Sequence, residues 1–259
     1  MPAPIQVYAS PARLGAALAE RIADEIEAAP GGRYLLGCPG GRSAQQTYIA
    51  LATEVGRRAL DLSGLHIVMM DEYLGPDRQP IDAAAAHSCR RFGREQILAP
   101  LNAAARAGVA EDRLWLPDPS DPGAYDRRIA DAGGIDLFIL ASGASDGHVA
   151  FNPPGTERTA RTRVVPLAET TRRDNLATFP TLGELKNVPT HGITVGPQTI
   201  AELSAGAVLI AHGPDKAVTA ARLATTSEYV PDWPATIVHE CRNPLLLLDA
   251  AAAGRIEST

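Results

Sequence analysis

Residues 135–148 read IDLFILASGASDGH, an apolar run that breaks into a glycine-rich stretch ending in an acid, a glycine and a histidine. A short apolar run of this length, closed by Gly and Ser, suits a strand buried on both faces. The same grammar recurs in RYLLGCPGGRS (33–43), LHIVMMDEY (65–73) and AVLIAHGPDK (207–216), and a further apolar run fills 245–248. Ala-rich stretches with helical spacing lie at 11–29, 44–60, 87–99, 121–132 and 215–224. Strands alternating with helices predict an α/β fold: a doubly wound, mostly parallel sheet with helices on both faces. In such sheets ligands bind beyond the carboxyl ends of the strands. The four loops of unusual composition all follow strands, where a site would lie.

The bulk properties narrow the functional class. The chain has 259 residues, 45% of them hydrophobic and 21% charged, enough for a sizeable core. No Ser/Gly-rich linker or charge block divides it, so one domain over 1–259 is expected. A net charge of −6 argues against nucleic acid, whose phosphates call for surplus Lys and Arg. No apolar run reaches the roughly 20 residues of a membrane span, and the N-terminus lacks a signal-peptide pattern. Cys38, Cys89 and Cys241 are too scattered for a disulfide framework or a zinc site. A cytoplasmic location is expected.

Each loop then has a chemical reading. In Cys38-Pro39-Gly40-Gly41-Arg42-Ser43 two glycines and a hydroxyl precede a helix start, where backbone amides can meet an anion, although a plain turn reads the same. Asp71 and Glu72 are adjacent on an extended strand and point oppositely, so only one can readily face a site. A carboxylate there can act as a general base. Gly147 between Asp146 and His148 lets the chain turn so that acid and imidazole converge. Lys216 begins a helix, where a cation is disfavoured unless an anion is near. Arg172 and Arg173 offer forks that match phosphate oxygens.

Taken in order, PGGRSAQQTY (39–48), MDEYLG (70–75), His87-Ser88, SDGHVAFNPPG (145–155), ARTRVV (160–165), TTRRDN (170–175), HGITVGPQTI (191–200) and GPDKAVTAA (213–221) resemble the glucosamine-6-phosphate deaminase/isomerase family. That family shares a superfamily with 6-phosphogluconolactonase. The resemblance runs from about residue 33 to residue 250 and implies a sugar 6-phosphate substrate, with proton transfer between C2 and C1. By matched position it implies Asp71 as the transfer base, His148 as the ring-opening acid/base and Asp146 as the carboxylate that supports opening. Gly40, Gly41, Arg42, Ser43, Glu72, Arg172 and Lys216 fall at the substrate- and phosphate-binding places. It further implies a lid at 153–185, a homo-oligomer, and no metal or organic cofactor.

The departures are specific. The family's FNEPG reads Phe151-Asn152-Pro153-Pro154-Gly155, so the glutamate that pairs with the histidine is Pro153, and another group must orient His148. Arg42 stands where Thr or Ser is usual. Arg163 has Val165 rather than a basic residue two places on, and activation by an amino-sugar effector is not expected. Tyr73 in MDEY favours isomerase/deaminase chemistry over the lactonase branch, which reads VDER there. A lactone hydrolase with His148 activating water is the alternative, and a non-catalytic sugar-phosphate-binding protein a third.

Overall fold

The computed structural model describes residues 2–256. Its strands are β1 (Ile5–Tyr8), β2 (Tyr34–Cys38), β3 (Leu65–Met69), β4 (Asp71–Leu74), β5 (Leu114–Trp115), β6 (Leu137–Ala141), β7 (Arg163–Pro166), β8 (His191–Thr194), β9 (Ala207–Ala211) and β10 (Pro244–Asp249). The helices are α1 (Pro11–Ala28), α2 (Gln45–Arg58), α3 (Cys89–Phe92), α4 (Ala99–Ala104), α5 (Pro122–Asp131), α6 (Glu169–Thr178), α7 (Pro197–Glu202) and α8 (Ala217–Ala224). Seven strands form one parallel sheet in the order β1-β10-β9-β6-β2-β3-β5, and β4, β8 and β7 form a separate antiparallel sheet.

Both faces of the large sheet are covered, because its strands carry apolar side chains in both directions. Leu36, Cys38, Ile67, Met69, Ile139 and Ile210 pack with Leu14 and Leu18 of α1 and with Tyr48 and Leu51 of α2. Their neighbours in sequence, Leu35, Val68, Phe138, Leu140 and Leu209, join Ile129 of α5 and Leu223 of α8 on the opposite side. Helix α1 illustrates the local logic: Ser10 accepts from the Arg13 amide at 3.3 Å, Pro11 opens the first turn, and Leu14, Leu18, Ile22 and Ile26 make a buried stripe.

The chain leaves β2 in one direction, towards β3 and β5, and returns on the other side with β6, β9 and β10. The order therefore reverses between β2 and β6, the switch point where open α/β sheets hold ligands. The pairing there is tight. Gly37 lies opposite Phe138, and a Cβ on Gly37 would fall inside the Phe138 ring. Gly37→Ala is expected to destabilise the fold by about 1–3 kcal/mol through overpacking, read as a lowered denaturation midpoint at unchanged slope.

All five apolar runs of the sequence are strands of the parallel sheet. Three features differ from expectation. β1 is a four-residue edge strand with Ile5 and Val7 exposed, and β5 has two residues, so neither shows as an apolar run. The helix expected at 87–99 extends to Ala104 through a π-helical turn, Gly93–Leu98; the widened turn accommodates Pro100, which has no amide to donate. Within 153–185, β7 is an edge strand of the small sheet, and only α6 and the Phe179 that follows it border the cavity described next. Val165 and Leu167 belong to the same core cluster as the large sheet, so this part of the segment is anchored.

Candidate active site

A cavity of about 290 Å3 opens at the carboxyl ends of β2, β3, β6 and β9 and is roofed by α6. Gly40, Gly41, Arg42, Ser43, Asp71, His148 and Lys216 all line it. Helix α2 is entered through a 3-10 turn at Arg42–Ala44, and Gly41, with φ 93°, makes the bend that a side chain would strain. The loops at the cationic end are stitched together. The Tyr48 hydroxyl donates to Pro39 O at 2.9 Å, His212 Nε2 donates to Ser43 O at 3.0 Å, and Lys216 Nζ donates to Ser142 O at 2.8 Å. Burial lowers the Lys216 pKa, against which Asp215, Asp174 and Asp146 act.

The two adjacent carboxylates part company. The main chain leaves the parallel sheet at Met70 and pairs as β4 with β8, Asp71 opposite Thr194. Asp71 is 5% exposed and turned to the cavity. Burial pushes its carboxyl up to about 7; the Cys89 thiol, donating to Oδ1 at 3.3 Å, opposes the shift, and the Glu72 charge adds to it. Glu72 points the other way and does not line the cavity. Its carboxylate caps α3, accepting from Ser88 Oγ at 3.0 Å and from the Cys89 and Arg90 amides at 2.9 Å each, and it also accepts from the Tyr73 amide at 2.9 Å. The substrate-binding place expected for Glu72 is thus corrected: a carboxylate whose lone pairs serve a helix N-terminus has none to offer a ligand.

Asp146 and His148 converge. His148 Nδ1 lies 2.8 Å from Asp146 Oδ1, and the other carboxylate oxygen accepts from Thr170 Oγ at 2.6 Å. A carboxylate can only accept here, so Nδ1 carries the proton and Nε2 is the nitrogen left for chemistry. Burial alone would raise the Asp146 carboxyl, but the hydrogen bond and charge of His148, with the Thr170 hydroxyl, hold it well below the usual carboxylate range. The group that orients His148 is therefore Asp146, and Pro153 supplies only a carbonyl that accepts from Thr156. The pair is packed against backbone: a Cβ on Gly143 would collide with both Asp146 Oδ1 and His148 Nδ1.

Arg172, expected as a cationic clamp, is not in the cavity. Its guanidinium donates to Leu185 O at 2.7 Å and Val188 O at 3.1 Å. The reason is helical periodicity: α6 presents Thr171, Asp174, Asn175 and Thr178 to the cavity, and residue 172 lies off that stripe. Arg173 is exposed and pairs with Glu169.

Several cavity residues escaped the reading of the sequence. His87 and Phe179 join Tyr73 and Phe151 in an aromatic wall, with ring centroids 4.8–6.1 Å apart. His87 falls inside a quoted motif, Gly143 inside the glycine-rich loop, and the α6 residues would have followed from a helical reading of 169–178. Cys89 gives no signal, since a lone cysteine announces nothing about its neighbours. Among the described residues no group of three or more His, Cys, Asp or Glu is placed to hold a metal ion, and no helix is long and apolar enough to cross a membrane.

Comparison with known proteins gives the family and the fold. The profile of the glucosamine-6-phosphate isomerases/6-phosphogluconolactonase family matches residues 9–247. A glucosamine-6-phosphate deaminase of Shouchella clausii is 33% identical over 236 residues, covering 89% of this chain and 88% of that protein. One from Mycolicibacterium smegmatis is 34% identical over 258 residues, covering 97% and 92%. A solved structure described as a monomeric glucosamine-6-phosphate deaminase superposes with a TM-score of 0.86 at 25% identity, covering 97% of this chain and 99% of that one. The 6-phosphogluconolactonase of Trypanosoma cruzi, at TM-score 0.71 and 20% identity over 99% and 97% of the chains, shares the fold.

Proposed function

The chain belongs to the family of glucosamine-6-phosphate isomerases and 6-phosphogluconolactonases, and from that membership we propose that it is a sugar-phosphate isomerase/deaminase acting on a hexosamine 6-phosphate or a related hexose 6-phosphate. The observation that carries the reading is a single cavity lined by two proton-handling groups, the Asp71 carboxyl and the His148 imidazole, with Asp146 hydrogen-bonded to that imidazole from outside the lining. Asp71 is a desolvated carboxyl raised to about 7, and Asp146 is a carboxyl held low by an imidazole. Groups whose environments push their pKa values apart supply separate acid and base roles.

Each step of the proposed reaction has a residue to serve it. The 6-phosphate is received by the amides of Gly41 and Ser43, at the turn into α2, with Arg42 and Lys216 supplying positive charge. His148 Nε2 moves the proton between the ring oxygen and the C1 hydroxyl, and Asp146 stabilises the imidazolium formed meanwhile. Asp71 then removes the C2 proton from the open-chain aldose and returns it to C1. With an amino group at C2, water replaces the nitrogen of the resulting imine, and ammonia and a ketose 6-phosphate leave. The base works near neutrality because burial has raised it to about 7.

Lys216→Met is expected to raise KM by about 10- to 100-fold, the effect of losing a charge-assisted contact of ~1.5–3 kcal/mol, with a smaller change in kcat. The reading as a whole is tested by incubating the enzyme with glucosamine 6-phosphate, glucose 6-phosphate and 6-phosphogluconolactone while following ammonia, ketose phosphate and acid together. Ammonia with ketose phosphate is the expected result. Acid from the lactone alone would overturn the proposal in favour of hydrolysis.

A further inference from the structure

Asp71 has an unusual companion. Cys89 is the first residue of α3, and the Glu72 carboxylate fixes that turn by accepting from the Ser88 hydroxyl and from the amides of Cys89 and Arg90. The turn so held aims the Cys89 sulfur at Asp71 Oδ1, 3.3 Å away. The thiol also borders the glycine loop, since a Cβ on Gly40 would stand 3.8 Å from Sγ. Burial, together with the Glu72 and Asp71 charges, raises the Cys89 pKa well above its ordinary value. It is a protonated donor, not a nucleophile.

The other groups around Asp71 do not replace it. Glu72 and Tyr73 follow it on β4, and its charge is felt by Tyr73, by Tyr48 of α2 and by Tyr125 of α5. The Tyr48 hydroxyl is spent on Pro39 O and that of Tyr125 on Met69 O at 2.6 Å. Among the described residues no Lys, Arg or His forms an ion pair with Asp71, and Cys89 makes the only side-chain hydrogen bond to it.

We propose that Cys89 is a positioning residue of the reaction: its thiol holds Asp71 Oδ1, fixes the rotation of the carboxylate, and leaves Oδ2 to exchange the proton with the sugar. This rests on the isomerase/deaminase reading for its catalytic meaning, but the contact itself can be tested without turnover. A donor to the carboxylate favours the ionised form, so deleting it must move the Asp71 titration upward, and an oxygen donor, stronger than sulfur, must move it downward.

The experiment compares wild type, Cys89→Ala and Cys89→Ser, by 13C NMR of aspartate-labelled protein, with Asp71→Asn identifying the Asp71 signal. The same three proteins are assayed for kcat/KM against pH with glucosamine 6-phosphate. The Asp71 midpoint is expected to fall in the order Ala above Cys above Ser, the Ala shift being about one pH unit. The acid limb of kcat/KM should follow the same order, and Ser should restore the kcat lost in Ala. Coincident midpoints in the three proteins would overturn the proposed contact. Ordered midpoints with unmoved kinetic limbs would overturn Cys89's part in the reaction. An absence of turnover in wild type would fault the function instead, and the NMR order would still decide the contact.

Discussion

Replacing Asp71 by Asn is expected to lower kcat for ketose phosphate formation by about 10²–10⁴, the usual worth of a positioned general base, with little change in KM. The amide keeps the shape of the side chain and can still accept from the Cys89 thiol, so the cavity should persist. What it loses is the ability to take a proton from C2. The same substitution should leave the protein at least as stable as wild type above neutral pH, for a reason that can be signed. The folded carboxyl is raised to about 7 by burial, whereas in the unfolded chain it titrates near ~3.9. Below that lower value both states are protonated and no penalty arises. Between the two values the folded state binds the extra proton, so stability falls as pH rises through the window and stays reduced above about 7. Asn has no charge to desolvate and escapes the loss. Thermal unfolding of both proteins at pH 5 and pH 8 measures it, and retained activity in Asp71→Asn would remove Asp71 from the role of base.

Asp146→Asn should cost a comparable factor, about 10²–10⁴ in kcat/KM for a substrate that enters as a closed ring. Both Asp146 oxygens accept in the native site, one from His148 Nδ1 and the other from Thr170 Oγ. An amide has one acceptor to meet two donors. If its oxygen faces His148, the tautomer survives but the negative charge that stabilises the imidazolium is gone. If its nitrogen faces His148, the wrong ring nitrogen is protonated. Either arrangement impairs the proton shuttle, and Lys216 and Arg42 are untouched, so phosphate affinity measured by isothermal titration should hold. Activity within threefold of wild type would show that ring opening does not pass through this pair.

The doubly wound architecture was legible because its causes are local. Strands buried on both faces must be short, continuous and apolar, and the helices between them must carry a periodic apolar stripe, so both show in one sequence. The convergence of Asp146 and His148 was legible too, since a single glycine between acid and imidazole leaves few ways for the turn to close. The split between Asp71 and Glu72 could be anticipated from strand alternation, but not which of the two would face the cavity. That depended on β4 leaving the parallel sheet for a partner, β8, that lies far along the chain.

By itself the sequence determined the fold class, the family and the loops that meet at the switch point between β2 and β6, because each is written in residue types at short spacing. Only the tertiary structure decided that Glu72 caps α3, that Arg172 turns to the carbonyls of Leu185 and Val188, and that the thiol of Cys89 rests on Asp71. These contacts join residues 13 to 18 positions apart through the angle at which one element packs on another. Such angles come from the whole core together, and no short stretch of sequence encodes them.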